Sequence, residues 1–157
     1  MIKAIGFRVE PQTVNYAVVE GTKQEPILIT HDKMSPPNSY DKESDKLVWY
    51  RERLFTIIEE YQPQSGAIRL PEPSSFGKSK IDSLLKRARI EGVILEGLGK
   101  KGIECIVGAL TTISSEINSK SAKQYLSNDD FRSLDWSNIK NINQREAILV
   151  AVTQLED

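Results

Sequence analysis

The sequence is poor in the side chains that most often carry chemistry, since its 157 residues include one cysteine, Cys105, and one histidine, His31. A single cysteine excludes an internal disulfide, and its position in the apolar run IECIVGA predicts a buried core thiol rather than a nucleophile. The histidine ends a predicted strand, where a lone imidazole is usually structural or solvated. Neither residue indicates a catalytic or metal-binding constellation.

Long apolar runs are also lacking. No stretch approaches the roughly 18 apolar residues that a transmembrane helix needs, and the N-terminal MIKAIGFR enters a strand pattern without a signal-peptide core. The expected setting is therefore the reducing cytoplasm, with no membrane partner. GLGKKG at 97–102 lacks the preceding strand and the terminal Ser or Thr of a phosphate-binding loop. It indicates the end of a helix, and we expect no cofactor.

The composition that remains is that of a folded protein. Apolar residues make up 39% and charged residues 27%, which predicts one domain over residues 1–157. The formal net charge of −1 conceals a basic segment, because residues 66–101 contain eight Lys or Arg against four acids. This excess permits a phosphate-bearing partner, although a solvated helix face is the simpler interpretation.

The order of the apolar patterns predicts an α/β fold. Ile5, Phe7 and Val9 alternate with small or charged residues, as in a strand with two different faces. The predicted elements are strands at 2–10, 13–20 and 25–31, a helix at 43–62, a strand at 66–70, a well-buried helix at 79–100, a strand at 103–109, a helix at 115–126, a loop or short helix at 127–136 and a terminal helix at 143–155. A meander followed by alternating helices and strands predicts a mixed five-stranded sheet with helices on both faces.

Four segments follow a known pattern in the same order. GFRVEP with NYAVVE, AIR with SSF, SLLKRARIEGVILEGLGKKG and NQREAILVAV are similar to successive motifs of the RuvC-type Holliday-junction resolvases. Glu20 follows Arg8 by twelve residues, as the glutamate of that family follows its first aspartate. The chain thus resembles a divergent member of this branch of the ribonuclease H-like superfamily over about residues 3–155. The resemblance implies a ribonuclease H-like fold and a homodimer.

The resemblance also implies a degenerate site. In the resolvases, four acidic positions hold two divalent metal ions that activate water and stabilise the leaving oxygen. At the matching positions this chain has Arg8, Arg69, Asn143 and Glu146, which changes the charge from −4 to +1. A guanidinium stays protonated and cannot ligate a metal. We therefore expect no metal and no two-metal catalysis, with Glu146 paired to Arg8, Arg69 or both.

Three hypotheses for function remain open. The first is a catalytically inactive RuvC-like domain that binds DNA or RNA, and its candidate contacts are Phe76, Lys78, Lys80, Lys120 and Lys123. The second is a dimeric protein-interaction or scaffold domain without nucleic acid. The sequence pI of about 5.9, which is low for a dedicated nucleic-acid binder, is compatible with this hypothesis. The third is a divergent metal-dependent nuclease with relocated acids, for which the candidates are Glu10, Glu72, Asp129 and Asp130.

Overall fold

The computed structural model describes residues 1–71, 81–119 and 121–157. Its strands are β1 (Ala4–Val9), β2 (Val14–Gly21), β3 (Pro26–Met34), β4 (Ser65–Arg69), β5 (Glu104–Gly108), β6 (Asp130–Phe131) and β7 (Leu134–Asp135). Its helices are α1 (Glu43–Tyr61), α2 (Ile81–Lys100), α3 (Leu110–Glu116), α4 (Lys123–Leu126) and α5 (Ile142–Val152).

The predicted mixed five-stranded sheet is confirmed. Its strand order is β3-β2-β1-β4-β5, so β1 is central. β1 pairs antiparallel with β2 and parallel with β4, while β3 and β5 form the two edges. The register places Arg8 of β1 between Asn15 on β2 and Arg69 on β4. Two residues singled out from the sequence are thus neighbours across the sheet.

Helices cover both faces of the sheet. α1 and α2 pack over the face that carries Ile5, Phe7 and Ile68, and they form one of the two apolar cores. α5 packs over the other face, against the smaller side chains of Ala4, Ala17 and Ala67. The residues of α5 from 144 to 152 are all buried, because the hairpin β6–β7 and the helices α3 and α4 cover the side of α5 that turns away from the sheet.

Gly6 allows α5 to lie directly on β1. A Cβ atom at this position would stand 2.2 Å from the carbonyl oxygen of Ala147 and 2.6 Å from the backbone nitrogen of Ala151. Real Cβ atoms do not approach backbone so closely, so any larger residue would push the helix away from the sheet. The closeness of this contact fixes where the middle and last turns of α5 stand above β1.

Several boundaries and burial predictions were wrong. The helix predicted at 115–126 is two short helices, α3 and α4, and the loop predicted at 127–136 contains the hairpin β6–β7. β3 runs on to Met34, and β4 ends at Arg69. α2 is less buried than its composition suggests, since Ile81, Leu85 and Leu95 are exposed. The wide spread of apolar residues round α2 therefore led to an overestimate of its burial, because only one side of α2 meets α1 and the sheet.

Cys105 lies on the edge strand β5 and is half-buried rather than fully enclosed. Burial raises the pKa of its thiol to about 12, so the thiolate is not populated at neutral pH. This supports the prediction that Cys105 is not a nucleophile. Within the described part of the chain, no helix is long and apolar enough to cross a membrane.

Candidate functional site

Three of the four positions singled out by the resemblance meet at one end of the sheet. Nε of Arg8 donates a hydrogen bond to Oε2 of Glu146 at 2.6 Å. Nη2 of Arg69 lies 3.5 Å from Oε1 of the same carboxylate. Glu146 was predicted to pair with Arg8, Arg69 or both, and the structure shows contacts to both, which join β1, β4 and α5.

The local sequence explains why these three side chains converge. Successive residues of a strand point to opposite faces, so Phe7 turns to the α1–α2 core and Arg8 turns to α5. Arg69 is level with Arg8 on the parallel neighbour β4. The side chains of Arg8, Arg69 and Glu146 are 11%, 4% and 8% exposed, so the contact is nearly dry.

Asn143 does not join this group through its side chain. It lies one turn before Glu146 on α5, and its backbone N–H donates to Oδ1 of Asn141 at 2.8 Å. Asn141 is thus the residue that caps the helix, two positions before the asparagine named from the sequence. The Asn143 side chain makes no hydrogen bond to a described residue.

A second charged pair reaches the site from α2. The carboxylate of Glu91 is buried, and burial raises its pKa although Arg8 and Arg87 act in the opposite direction. Burial lowers the pKa of Arg87, and the charge of Arg8 lowers it further. Nε of Arg87 is enclosed and has no hydrogen bond to a described residue. These two side chains extend the site beyond the positions that the resemblance identified.

Sequence analysis missed Arg87 and Glu91, although their spacing carried a signal. They lie four residues apart, and Ile94 and Leu98 continue the same stripe of α2 into the core. Charged residues in line with a buried helical stripe are candidates for a desolvated site. In the sequence they were counted only as part of the basic segment.

A polar network fixes the start of α5 against β2 and β3. Nε2 of Gln144 donates to Oδ1 of Asn15 and to the carbonyl of Asp32, both at 2.9 Å. Oε1 of Gln144 lies 2.9 Å from Nδ1 of His31. Nδ2 of Asn15 in turn donates to Oε2 of Glu10 at 2.7 Å. His31 therefore has a structural partner, and Glu10 is held beside the end of β1.

The site does not fit a divalent metal ion. Both oxygens of Glu146 face a guanidinium, and Arg8 and Arg69 occupy the places where ligand oxygens would be needed. Across residues 1–71, 81–119 and 121–157, no three His, Cys, Asp or Glu side chains are grouped so that they could hold a metal. Two fixed positive charges would repel Mg²⁺ from the one carboxylate between them.

The remaining predicted residues are dispersed or not described. Lys123 is exposed on α4. Among the candidate relocated acids that the structure describes, Asp129 and Asp130 are exposed at the start of the hairpin β6–β7, and Glu10 lies at the site. The candidate contacts and acid outside the described residues are Phe76, Lys78, Lys80, Lys120 and Glu72.

Comparison with known proteins identifies the fold. No family profile and no curated protein matches the sequence. Among solved structures, RuvC of T. thermophilus in complex with a Holliday junction substrate is 10% identical, with a TM-score of 0.76 over 97% of this chain and 92% of that one. The yeast mitochondrial Holliday junction resolvase is 11% identical, with a TM-score of 0.61 over 96% and 76%.

The resolvase of fowlpox virus, also in complex with Holliday junction DNA, is 13% identical, with a TM-score of 0.50 over 97% of this chain and 95% of that one. At such low identities the likeness concerns architecture. The mixed sheet with β1 at its centre and α5 on its smaller-residue face is therefore a RuvC-like ribonuclease H-like fold.

Proposed function

We propose that this chain is a RuvC-like domain that binds branched or single-stranded DNA without cleaving it. The observation that carries the proposal is the Arg8–Glu146–Arg69 contact, in which a buried ion-pair group takes the place of a metal-binding acidic cluster. A carboxylate between two guanidiniums can neither hold Mg²⁺ nor activate water. Guanidinium groups are suited to phosphate oxygens, and Arg87, which is only half-buried, supplies one beside this contact.

The charge at the site predicts weak binding. Among the described residues, Arg8, Arg69 and Arg87 contribute three positive charges, and Glu10, Glu91 and Glu146 contribute three negative ones. Charges that balance in this way attract a phosphate through individual hydrogen bonds rather than through a strong field. Arg87 is the best placed donor, because its side chain is only half-buried and forms no ion pair with a described residue.

Branched DNA is the first ligand to test because two of the similar structures contain Holliday junctions. Fluorescence anisotropy with a four-way junction, a single strand and a duplex measures the affinity. We expect a micromolar or weaker Kd for the first two and a steep loss of binding as salt rises, because phosphate contacts release counterions. Undetectable binding at low ionic strength would contradict the proposal.

Arg87→Gln and Arg89→Gln form a matched pair of variants. Both remove one charge from neighbouring positions of α2, but Arg89 forms an exposed ion pair with Glu43 at 3.0 Å, away from the site. We expect Arg87→Gln to weaken junction binding several-fold more than Arg89→Gln. Equal effects would show that only the general charge of α2 matters.

Cleavage assays address the missing catalysis directly. A labelled junction incubated with Mg²⁺ or Mn²⁺ should remain intact, since Glu146 is not available as a ligand. Products that disappear in Glu146→Gln would instead establish a working nuclease.

A second candidate function is supported by the edge strand β5. Ile106 and Val107 are 40% and 44% exposed, and the outer edge of β5 pairs with no other strand among the described residues. An apolar open edge is suited to a protein partner. Sedimentation of the purified chain tests this alternative: a dimer that Val107→Lys dissociates, together with no DNA binding, would favour the scaffold.

A further inference from the structure

A cavity of about 720 Å³ lies beside the charged site, at the end of the sheet where β1 turns into β2. Its walls come from the β1–β2 turn, the loop after β3, the start of α1 and one side of α2. This volume lies within the range of small-molecule sites, roughly 300–1,000 Å³. Size alone assigns no ligand, so the chemistry of the lining decides the question.

Tyr50 gives the cavity a buried polar group that has no hydrogen-bond partner among the described residues. The residue is 2% exposed and lines the cavity, and its hydroxyl makes no hydrogen bond to a described residue. Ser65 Oγ and Arg87 Nε are side-chain atoms that are enclosed and also lack a hydrogen bond to a described residue. The Tyr50 hydroxyl lacks such a hydrogen bond but is not enclosed in this way, so its oxygen keeps access to solvent. Burial raises the pKa of Tyr50 to about 12, so the group remains a hydrogen-bond donor at neutral pH.

The other lining residues combine flat apolar surfaces with a positive charge. Pro36, Pro37 and Tyr40 are among the lining residues, and Tyr40 is 38% exposed. A half-exposed aromatic ring over a cavity offers a stacking surface for a planar ligand.

Lys46 is the cation of the cavity that has no ion pair among the described residues. The second lysine in the lining, Lys86, is paired with Asp82 at 3.3 Å, and Glu43 is neutralised by Arg89. Asp41 also lines the cavity, but it is exposed, so solvent screens its charge. An anionic group entering the cavity would therefore find its counter-charge at Lys46.

We propose that this cavity binds one unpaired nucleotide, with the base against Tyr40, an acceptor of the nucleotide on the Tyr50 hydroxyl and the phosphate at Lys46. The nucleotide is either free or part of an unpaired DNA strand, and the second source rests on the proposed function. Placement favours a strand. Lys86 and Ile90 of α2 line the cavity. The residues that follow them in the sequence, Arg87 and Glu91, belong to the charged site, so the two sites are adjacent.

Tyr50→Phe is the central test, with Tyr16→Phe as the matched control. Tyr16 is also buried, at 3% exposure, but it does not line the cavity. Each substitution removes one hydroxyl and keeps the ring, so both variants should fold. We expect Tyr50→Phe to weaken binding by about three- to tenfold, the effect of one hydrogen bond, and Tyr16→Phe to leave it unchanged. Lys46→Met should weaken binding and reduce the salt slope by about one phosphate contact.

The full chain is titrated with deoxynucleoside monophosphates by NMR, and with a gapped and a continuous duplex by anisotropy. Monophosphate binding that depends on Tyr50 supports the site for a free nucleotide. If Tyr50→Phe weakens binding of the gapped duplex alone, the nucleotide in the cavity belongs to an unpaired DNA strand. DNA binding that neither Tyr50→Phe nor Lys46→Met alters would overturn the cavity assignment and leave the proposed function intact.

Two further outcomes separate the proposals. Monophosphate binding without DNA binding would keep the nucleotide site and refute the DNA-binding function. A proline-rich peptide that binds with the same dependence on Tyr50, in the absence of nucleotide binding, would assign the cavity to a peptide and overturn the inference.

Discussion

Arg8 and Glu146 are 138 residues apart in the sequence, and they form a hydrogen bond of 2.6 Å between Nε and Oε2. Arg69 approaches the other oxygen of the same carboxylate. Because all three groups are nearly excluded from solvent, the carboxylate of Glu146 depends on the two guanidiniums for compensation of its charge. The contact thus holds two parallel strands and the last helix in one arrangement.

Glu146→Ala should lower the free energy of unfolding by about 3–5 kcal/mol, because it leaves two desolvated guanidiniums without their carboxylate. Urea denaturation followed by circular dichroism measures the change. Glu96→Ala is the control, since Glu96 pairs with Arg51 at 2.8 Å on an exposed surface. Its cost should be under about 1 kcal/mol. Similar costs for the two variants would show that the Glu146 contact is solvated in solution.

Replacing the whole ion-pair group tests its role further. Arg8→Met, Arg69→Met and Glu146→Leu combined remove all three charges and keep similar volumes. We expect the combined variant to be closer to the parent protein in stability than Glu146→Ala alone, because it leaves no buried guanidinium deprived of the Glu146 carboxylate. A combined variant as unstable as Glu146→Ala would mean that the side chains stabilise the fold in another way.

Millimolar Mg²⁺ or Mn²⁺ should leave the melting temperature unchanged, because a ligand that does not bind the native state cannot stabilise it. Differential scanning fluorimetry of the parent protein provides the measurement. A clear rise with Mn²⁺ that Glu146→Ala abolishes would establish a surviving metal site and remove the basis of the proposed function.

Glu91→Gln should raise stability at neutral pH. Burial raises the pKa of Glu91 in the folded state, so the ionised carboxylate opposes folding above that pKa. This cost disappears as pH falls below the unfolded pKa of glutamate. The difference in melting temperature between variant and parent should therefore be positive near pH 7 and vanish in acid. A variant less stable at pH 7 would show that attraction by Arg8 and Arg87 outweighs burial.

Gly6→Ala should destabilise the fold by about 1–3 kcal/mol, because the added Cβ meets the backbone of α5. Gly92→Ala is the matched control: this glycine lies on α2, and a Cβ there would meet nothing within 4 Å, so alanine fits freely. The control should be neutral or stabilising by up to about 1 kcal/mol, as alanine favours helix. Chemical denaturation of both variants gives the comparison.

The sequence was sufficient for the architecture but not for burial. Alternation in β1 and the order of the elements predicted the sheet, because strand periodicity follows directly from backbone geometry. The region after β5 was mispredicted, since its hairpin contains only two residues on each strand and has no periodicity to detect. The exposed apolar residues of α2 could not be foreseen either, because packing partners decide burial.

The site was predicted only where a position matched the family pattern. Arg8, Arg69 and Glu146 could be named because their motifs fix the ends of β1 and β4 and the start of α5. Arg87 and Glu91 could not, since their approach depends on how α2 crosses the end of the sheet. The capping role of Asn141 depends on where α5 begins, which the sequence pattern did not settle.

The position of Gly6 under α5 also has a consequence for how the chain folds. The central strand comes near the beginning of the sequence, whereas the helix that seals it comes near the end. Contacts between such distant segments form slowly, because a long loop must close before they are made. During synthesis, Arg8 and Arg69 emerge long before Glu146, so the inner face of β1 stays open until the last turns of α5 leave the ribosome. We expect this late closure to limit the folding rate.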